Sequence, residues 1–186
     1  MAVTEVTICN SALVKVGAER ILSLNDTTER AKILKEIYPV IRDNILASHP
    51  WNFATARVAL APLVAAPAFE WDYQFQLPTD CLRVYGTDLG DADWKVEGGK
   101  LLCNYSSVSI KYIKQVTDTS LYSAYFVETL ACALAAAVAY TLTQSTSLKE
   151  SAEAAFERQL RVARSYDAQE GFGDRVYADS WLNSRA

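Results

Sequence analysis

The chain has 186 residues, with 18 Lys and Arg against 22 Asp and Glu, a formal net charge of −4, and 51% hydrophobic residues. This length and composition are typical of one folded domain with a sizeable core, and they exclude a disordered chain. Seven acidic and three basic residues fall between positions 68 and 100, so that this stretch alone carries a charge of −4. No segment is strongly basic, which disfavours duplex DNA binding as the main role.

Four stretches have apolar residues at helical spacing, and we predict helices near 4–16, 26–47, 122–143 and 147–167. Thr4 is a candidate N-cap for the first helix, and residues 26–29 and 147–150 have the spacing of capping boxes. Pro39 lies inside the second helix and removes one backbone hydrogen bond, so we expect a kink or a break there. His49 and Pro50 are expected to end that helix.

The third predicted helix is almost uncharged and long enough to cross a bilayer. It is also rich in alanine, which gains little from lipid, and it contains Glu128, which is costly in a membrane. Small residues suit a buried helix whose neighbours approach closely. We therefore predict a central core helix and no membrane span.

From about residue 51 to residue 116 the pattern changes to short alternating runs separated by proline and glycine, as expected for antiparallel strands. Gly98 and Gly99 have the spacing of a two-residue hairpin turn. The predicted fold is α+β, a four-helix bundle with an antiparallel β-insertion at about 51–116. The bundle would comprise residues 1–50 and 117–167, and residues 168–186 would form a C-terminal assembly arm.

The residues that catalysis or metal binding would require do not occur in a recognisable motif. The chain has no nucleophile elbow, phosphate-binding glycine loop or zinc-binding histidine pair. No nucleophile motif accompanies His49, which stands between the end of the second predicted helix and Pro50, and this favours a capping or packing role over a general base. We therefore expect no enzyme activity and no cofactor.

The acidic and cysteine residues also argue against a metal site. Asp88, Asp91 and Asp93 lack the glycine and the closing glutamate of a calcium loop, which favours a solvated strand connection. The four cysteines form no Cys-x-x-Cys pair, so we expect buried thiols rather than a zinc site or disulfides. The first residues lack the pattern of a secretory signal, and we expect a reducing cytoplasm as the place of synthesis.

Two groups of residues indicate contact with partners. Arg158, Arg161 and Arg164 recur every third residue on the fourth predicted helix, as in a salt-bridged outer face or in a surface that meets an acidic neighbouring subunit. Phe172, Tyr177 and Trp181 lie in a terminal segment without periodicity. Such aromatic residues anchor a segment either to a partner or back onto its own subunit.

A series of short motifs, taken in order, resembles a known family. The motifs are residues 12–17, 21–24, 30–31, 38, 42–43, 51–54, 77–84, 110–113, the Leu- and Ala-rich helix at 130–139, and its charged successor. Over about residues 5–170, this series resembles the tail tubular protein A family of tailed bacteriophages. Each motif is a packing or turn motif, so the resemblance depends on their order and spacing together.

The resemblance implies a structural virion protein without catalysis, a head-to-tail adaptor made in the host cytoplasm. Twelve copies would form a ring below the portal, with the tail nozzle or tail tube attached beneath, and DNA would pass through without specific binding. Asp88, Asp91 and Asp93 would line this passage, where acids avoid attraction to DNA, or face the tail partner. The arm would dock on the portal or on a neighbouring copy. The alternatives are a small cytosolic enzyme and a regulatory DNA-binding domain.

Overall fold

The structure, a computed structural model, describes residues 3–171. Within them, the helices are α1 (Glu5–Lys15), α2 (Glu29–Ser48), α3 (Ala124–Thr143) and α4 (Thr146–Gln169). The strands are β1 (Thr55–Leu60), β2 (Tyr73–Gln76), β3 (Cys81–Thr87), β4 (Trp94–Glu97), β5 (Lys100–Cys103) and β6 (Val108–Lys114). Short 3₁₀ turns at Asn52–Ala54 and Thr119–Leu121 precede β1 and α3.

Each helix begins after a hydroxyl side chain that accepts a hydrogen bond from the first turn; these N-caps are Thr4, Thr28, Ser123 and Ser145. The caps satisfy backbone N–H groups that have no partner inside the helix. The predicted capping boxes at 26–29 and 147–150 do not mark the starts of α2 and α4 correctly, because the N-caps are Thr28 and Ser145. Asp26 instead accepts hydrogen bonds from the N–H groups of Leu22 and Ser23 in the preceding turn.

Helix α2 runs without a break through Pro39. Buried residues on both sides of the proline, among them Leu34, Arg42 and Leu46, hold the two halves against the same core. This packing outweighs the loss of one backbone hydrogen bond. As predicted, the helix ends next to Pro50, with His49 as its C-cap in an extended conformation.

Helix α3 lies at the centre of the helical layer. Ten of its 20 residues are buried, and α1, α2 and α4 each pack on it. With a mean hydropathy of 1.6 it is long and apolar enough to cross a membrane by composition alone, but 61% of the apolar window is buried inside the protein. The prediction of a central core helix is confirmed, and its alanines let the other helices approach closely.

The six strands form two separate antiparallel sheets of three strands. The first sheet has the order β1-β6-β3 and the second has the order β2-β5-β4. The predicted hairpin between β4 and β5 is confirmed, because Gly98 and Gly99 both have positive φ angles, 55° and 75°. Glycine adopts these angles without the strain that a Cβ atom would cause.

The structure belongs to the α+β class, but the prediction of a four-helix bundle with one β-insertion is wrong. The reason lies in β6, whose buried side chains belong to two different cores. Ile113 packs with the helices, whereas Ile110 and Tyr112 pack in a second core with Phe75 and Leu101 of the other sheet. The first sheet is thus a layer between the helices and the second sheet, and it shares the helical core.

Candidate interaction surface

The outer face of the C-terminal half of α4 carries exposed cationic and aromatic side chains. Arg158, Arg161, Val162 and Tyr166 are all exposed. Val162 is four residues from both Arg158 and Tyr166, and Arg161 is three residues after Arg158, so the four side chains share the outward half of the helix. We call these four residues the α4 outer face. The opposite side of the helix packs on the core through Phe156, Leu160 and Ala163.

An aromatic pair extends this face from α4 to the first turn of α3. The rings of Tyr125 and Tyr166 stack with centroids 4.0 Å apart and planes inclined by 11°. Both side chains remain exposed, at 37% and 44% of their surface. Tyrosine presents a large apolar area together with a polar hydroxyl, which is why it is enriched where proteins meet.

The three arginines predicted as a stripe have different surroundings. Arg158 and Arg161 are exposed and form no ion pair with any residue of 3–171. Arg164 is half-buried and donates from Nη2 to the carbonyl and hydroxyl oxygens of Ser48, at 3.3 and 3.2 Å. Each step of three residues turns the side chain about 60° around the helix, so the third arginine reaches α2 instead of the outer surface.

Asp167 fastens the last turn of α4 to the connection between α2 and β1. It is only 8% exposed. Its Oδ1 accepts from the backbone N–H of Asn52 at 3.0 Å, and the Asn52 side-chain amide donates to the Asp167 carbonyl oxygen at 2.6 Å. The α4 outer face is therefore held in a fixed position relative to the rest of the subunit.

His49 completes this contact, with Nε2 3.1 Å from Oδ2 of Asp167. Burial lowers the pKa of His49, and it outweighs the Asp167 carboxylate, which acts in the opposite direction. The imidazole and the Trp51 ring also make an edge-to-face contact, with centroids 4.8 Å apart. His49 therefore stands at the C-cap position of α2 and packs against Trp51, as the capping or packing interpretation expects.

The acidic residues of the strand region lie in an exposed connection. Asp88, Asp91 and Asp93 are exposed between β3 and β4. Asp88 accepts a hydrogen bond from the N–H of Ser109 at 2.8 Å, and this bond lowers the pKa of its carboxyl group. Among residues 3–171, no three His, Cys, Asp or Glu side chains are grouped closely enough to hold a metal ion.

The predicted C-terminal arm falls largely outside the described residues. Residues 168 and 169 belong to α4, which is longer than predicted. Phe172, Tyr177 and Trp181 lie outside residues 3–171, so their predicted docking role stays a prediction.

The sequence analysis did not identify the Asp167 contact or the tyrosine stack. Asp167 and its partner Asn52 are 115 residues apart, and neither belongs to a motif with known spacing. The only sequence signal is a single aspartate on the apolar side of α4, four residues after Ala163. A carboxylate on the buried side of a helix indicates a specific partner.

No protein-family model matches this chain, and no curated protein is significantly similar to it. The resemblance to the tail tubular protein A family therefore depends on the motifs quoted above.

Proposed function

We propose that the protein is a structural virion protein, a head-to-tail adaptor whose copies form a ring between the portal and the tail nozzle or tail tube. The order and spacing of the sequence motifs quoted above support the assignment to this class of virion protein. The observation that carries the proposal is the α4 outer face, which is exposed at the end of the helix from which the chain continues to residue 186.

An adaptor subunit needs a rigid body that presents separate surfaces to its neighbours and to its partners. The Asp167 contact and the shared core of α3 supply the rigidity. The exposed Tyr125–Tyr166 pair and two arginines that form no ion pair within residues 3–171 supply the residue types that dominate binding energy at interfaces. From the same end of α4, Phe172, Tyr177 and Trp181 would reach the portal or an adjacent copy.

Arg158 and Arg161 are proposed to contact acidic side chains of a neighbouring copy. Arg164 is left out of this contact because it binds Ser48 of its own subunit. The exposed Asp88, Asp91 and Asp93 belong to the acidic strand region and are proposed to face the DNA passage or the tail partner. Acidic side chains there would let DNA pass without the counterion release that makes basic surfaces bind it.

Electron microscopy of the purified full chain, alone and mixed with the portal protein of the same phage, tests this proposal. We expect rings of twelve copies bound beneath the portal. A protein truncated after Gly171 should stay folded, because α4 is complete, and should lose portal binding. Portal binding that survives the truncation would remove the proposed docking arm.

The same preparations distinguish the rival classes. An adaptor should show little retention on duplex DNA at any salt concentration. Absence of rings with and without portal, together with DNA retention that falls steeply with salt, would replace the proposal by a regulatory DNA-binding domain.

A further inference from the structure

The connection between β1 and β2 projects apolar side chains into solvent. Residues 58–69 contain no charged residue. Val64 is fully exposed, Phe69 is 79% exposed, and Leu63 is also exposed. We call residues 61–69 the apolar loop. Exposed connections are usually polar, and neighbouring exposed apolar side chains mark a contact surface.

The apolar loop is braced by the second sheet. The N–H of Leu63 donates to the carbonyl oxygen of Gln74 at 2.8 Å, and the Gln74 side-chain amide donates to the carbonyl oxygen of Ala65 at 2.6 Å. Gln74 itself is buried. The loop is thus ordered before it meets a partner, which lowers the entropy cost of binding.

An apolar groove lies on the helical layer of the same chain, where α2 and α4 both pack on α3 and leave a gap between them. Its volume is about 360 Å³. Its apolar lining consists of Ile41, Ile45, Ala133, Ala136, Ala137 and Phe156. We call it the α2–α4 groove. Because the residues from α3 are alanines, the floor is low enough to admit side chains from outside.

Acidic side chains stand beside the apolar loop, and one basic side chain lines the groove. Glu70 and Asp72 follow the apolar loop and are exposed. Glu70 has a positive φ of 72°, which turns the chain at this end of the loop. Lys149 and Glu153 both line the α2–α4 groove, 3.6 Å apart, and Glu153 is the only carboxylate partner of Lys149 within residues 3–171. An exposed ion pair of this kind contributes little to stability, so Lys149 can readily exchange Glu153 for another carboxylate.

We propose that the apolar loop of one copy occupies the α2–α4 groove of the next copy. Leu63, Val64 and Phe69 enter the groove, and Glu70 approaches Lys149. The two surfaces lie on different parts of one chain, so the contact is head-to-tail and generates a ring when the rotation between copies closes. The inference rests on the ring of the proposed function and names the contact that builds it.

Disulfide cross-linking of the full chain, with portal present if the free chain is monomeric, tests this contact. The protein carries Val64→Cys in the loop and Ala137→Cys on the exposed side of the groove. We expect mild oxidation to produce a ladder of covalent oligomers. A mixture of the two single variants should yield covalent dimers that contain one copy of each. The control pair, Leu22→Cys with Ala137→Cys, places the first thiol on a residue that is 93% exposed outside both surfaces and should give no ladder.

A charge placed on the loop provides the second measurement. Val64→Asp should weaken self-association in sedimentation experiments by about tenfold or more, because the carboxylate would lose its water in an apolar groove. Leu22→Asp is the matched control and should leave self-association unchanged. Circular dichroism of both variants should match that of the unmodified protein, since both side chains are exposed in the subunit.

Three results would overturn the inference, and they are distinguishable from failure of the adaptor role. The contact is excluded if the Val64→Asp protein forms normal rings and the variant with Val64→Cys and Ala137→Cys gives no cross-link between these two positions. The proposed function would then still stand. Cross-linking of Val64→Cys only to itself shows a symmetric loop-to-loop contact instead. A chain that stays monomeric with and without portal overturns both proposals.

Discussion

Three consecutive alanines in the middle of α3 have different environments. Ala135 is 2% exposed inside the helical core. Ala136 is half-buried, Ala137 is exposed, and both line the α2–α4 groove. The same substitution therefore has a different cost at neighbouring positions, depending on whether the added atoms meet packed side chains or an open groove.

Ala135→Leu should lower the free energy of unfolding by about 1–3 kcal/mol, because it forces extra methylene groups into a filled core. Ala137→Leu is the control and should change the free energy of unfolding by no more than about 0.5 kcal/mol, since Ala137 is exposed and lines the open groove. Urea denaturation of both variants measures the difference. Equal effects at the two positions would contradict the packing described for α3.

The folded protein should hold His49 with a pKa below its ordinary value of 6.5, because burial disfavours the charged imidazole. Between that lowered pKa and 6.5 the unfolded chain binds more protons than the folded one. The stabilisation from His49 is therefore complete above pH 6.5 and is lost as the pH falls from 6.5 through the folded pKa.

NMR titration of the imidazole checks this directly, because His49 is the only histidine in the chain. His49→Gln should remove this part of the pH dependence of the free energy of unfolding. A titration midpoint above 6.5 would show that the Asp167 carboxylate outweighs burial.

At the scale of secondary structure, the end of α4 depends on a contact with a distant part of the chain. Asp167 satisfies the Asn52 N–H at the start of the 3₁₀ turn before β1, and so joins α4 to the junction of the helical and strand layers. Removing the carboxylate, which is only 8% exposed, takes away the acceptor of the Asn52 N–H and the partner of the His49 imidazole.

Asp167→Ala should lower the free energy of unfolding by about 1–3 kcal/mol and accelerate hydrogen exchange of the Asn52 amide and of the last turn of α4. Glu170→Ala, at an exposed position just after the helix, is the control and should change neither. Unaltered exchange at Asn52 in the Asp167→Ala protein would show that the contact does not hold the helix end.

At the scale of the whole molecule, the net negative charge is concentrated in the strand region, and two arginines are exposed on α4. The residues between 68 and 100 carry −4, whereas Arg158 and Arg161 are exposed on the helical layer without an ion-pair partner among residues 3–171. A subunit with opposite charges on different surfaces favours head-to-tail association and disfavours contact between like surfaces.

Arg161→Glu should weaken ring assembly by roughly tenfold per contact while leaving the subunit as stable as before, because an exposed charge adds little to folding. The effect should shrink near 1 M salt, where the screening length is about 3 Å. Light scattering across salt concentrations measures it. Arg164→Glu should instead affect the stability of the subunit, since Arg164 binds Ser48. If the Arg161→Glu protein assembles normally at low salt, the α4 outer face is exposed to solvent and does not contact a neighbouring copy.

The sequence by itself determined the four helices, the β4–β5 hairpin and the buried position of α3. These features depend on local causes: the 3.6-residue apolar period, hydroxyl caps, and the backbone freedom of Gly98 and Gly99. Exposure of Arg158 and Arg161 was predictable for the same reason, because it follows from helical spacing.

Only the tertiary structure decided how the strands divide into two sheets, that Arg164 turns to Ser48, that Asp167 holds Asn52, and that the α2–α4 groove stays open. An alternating pattern shows which residues are buried but not what buries them, and the buried side chains of β6 belong to two different cores. The partners in these contacts are more than 100 residues apart in the case of Asp167 and Arg164. Such contacts form only when whole layers have packed, so no local signal in the chain specifies them.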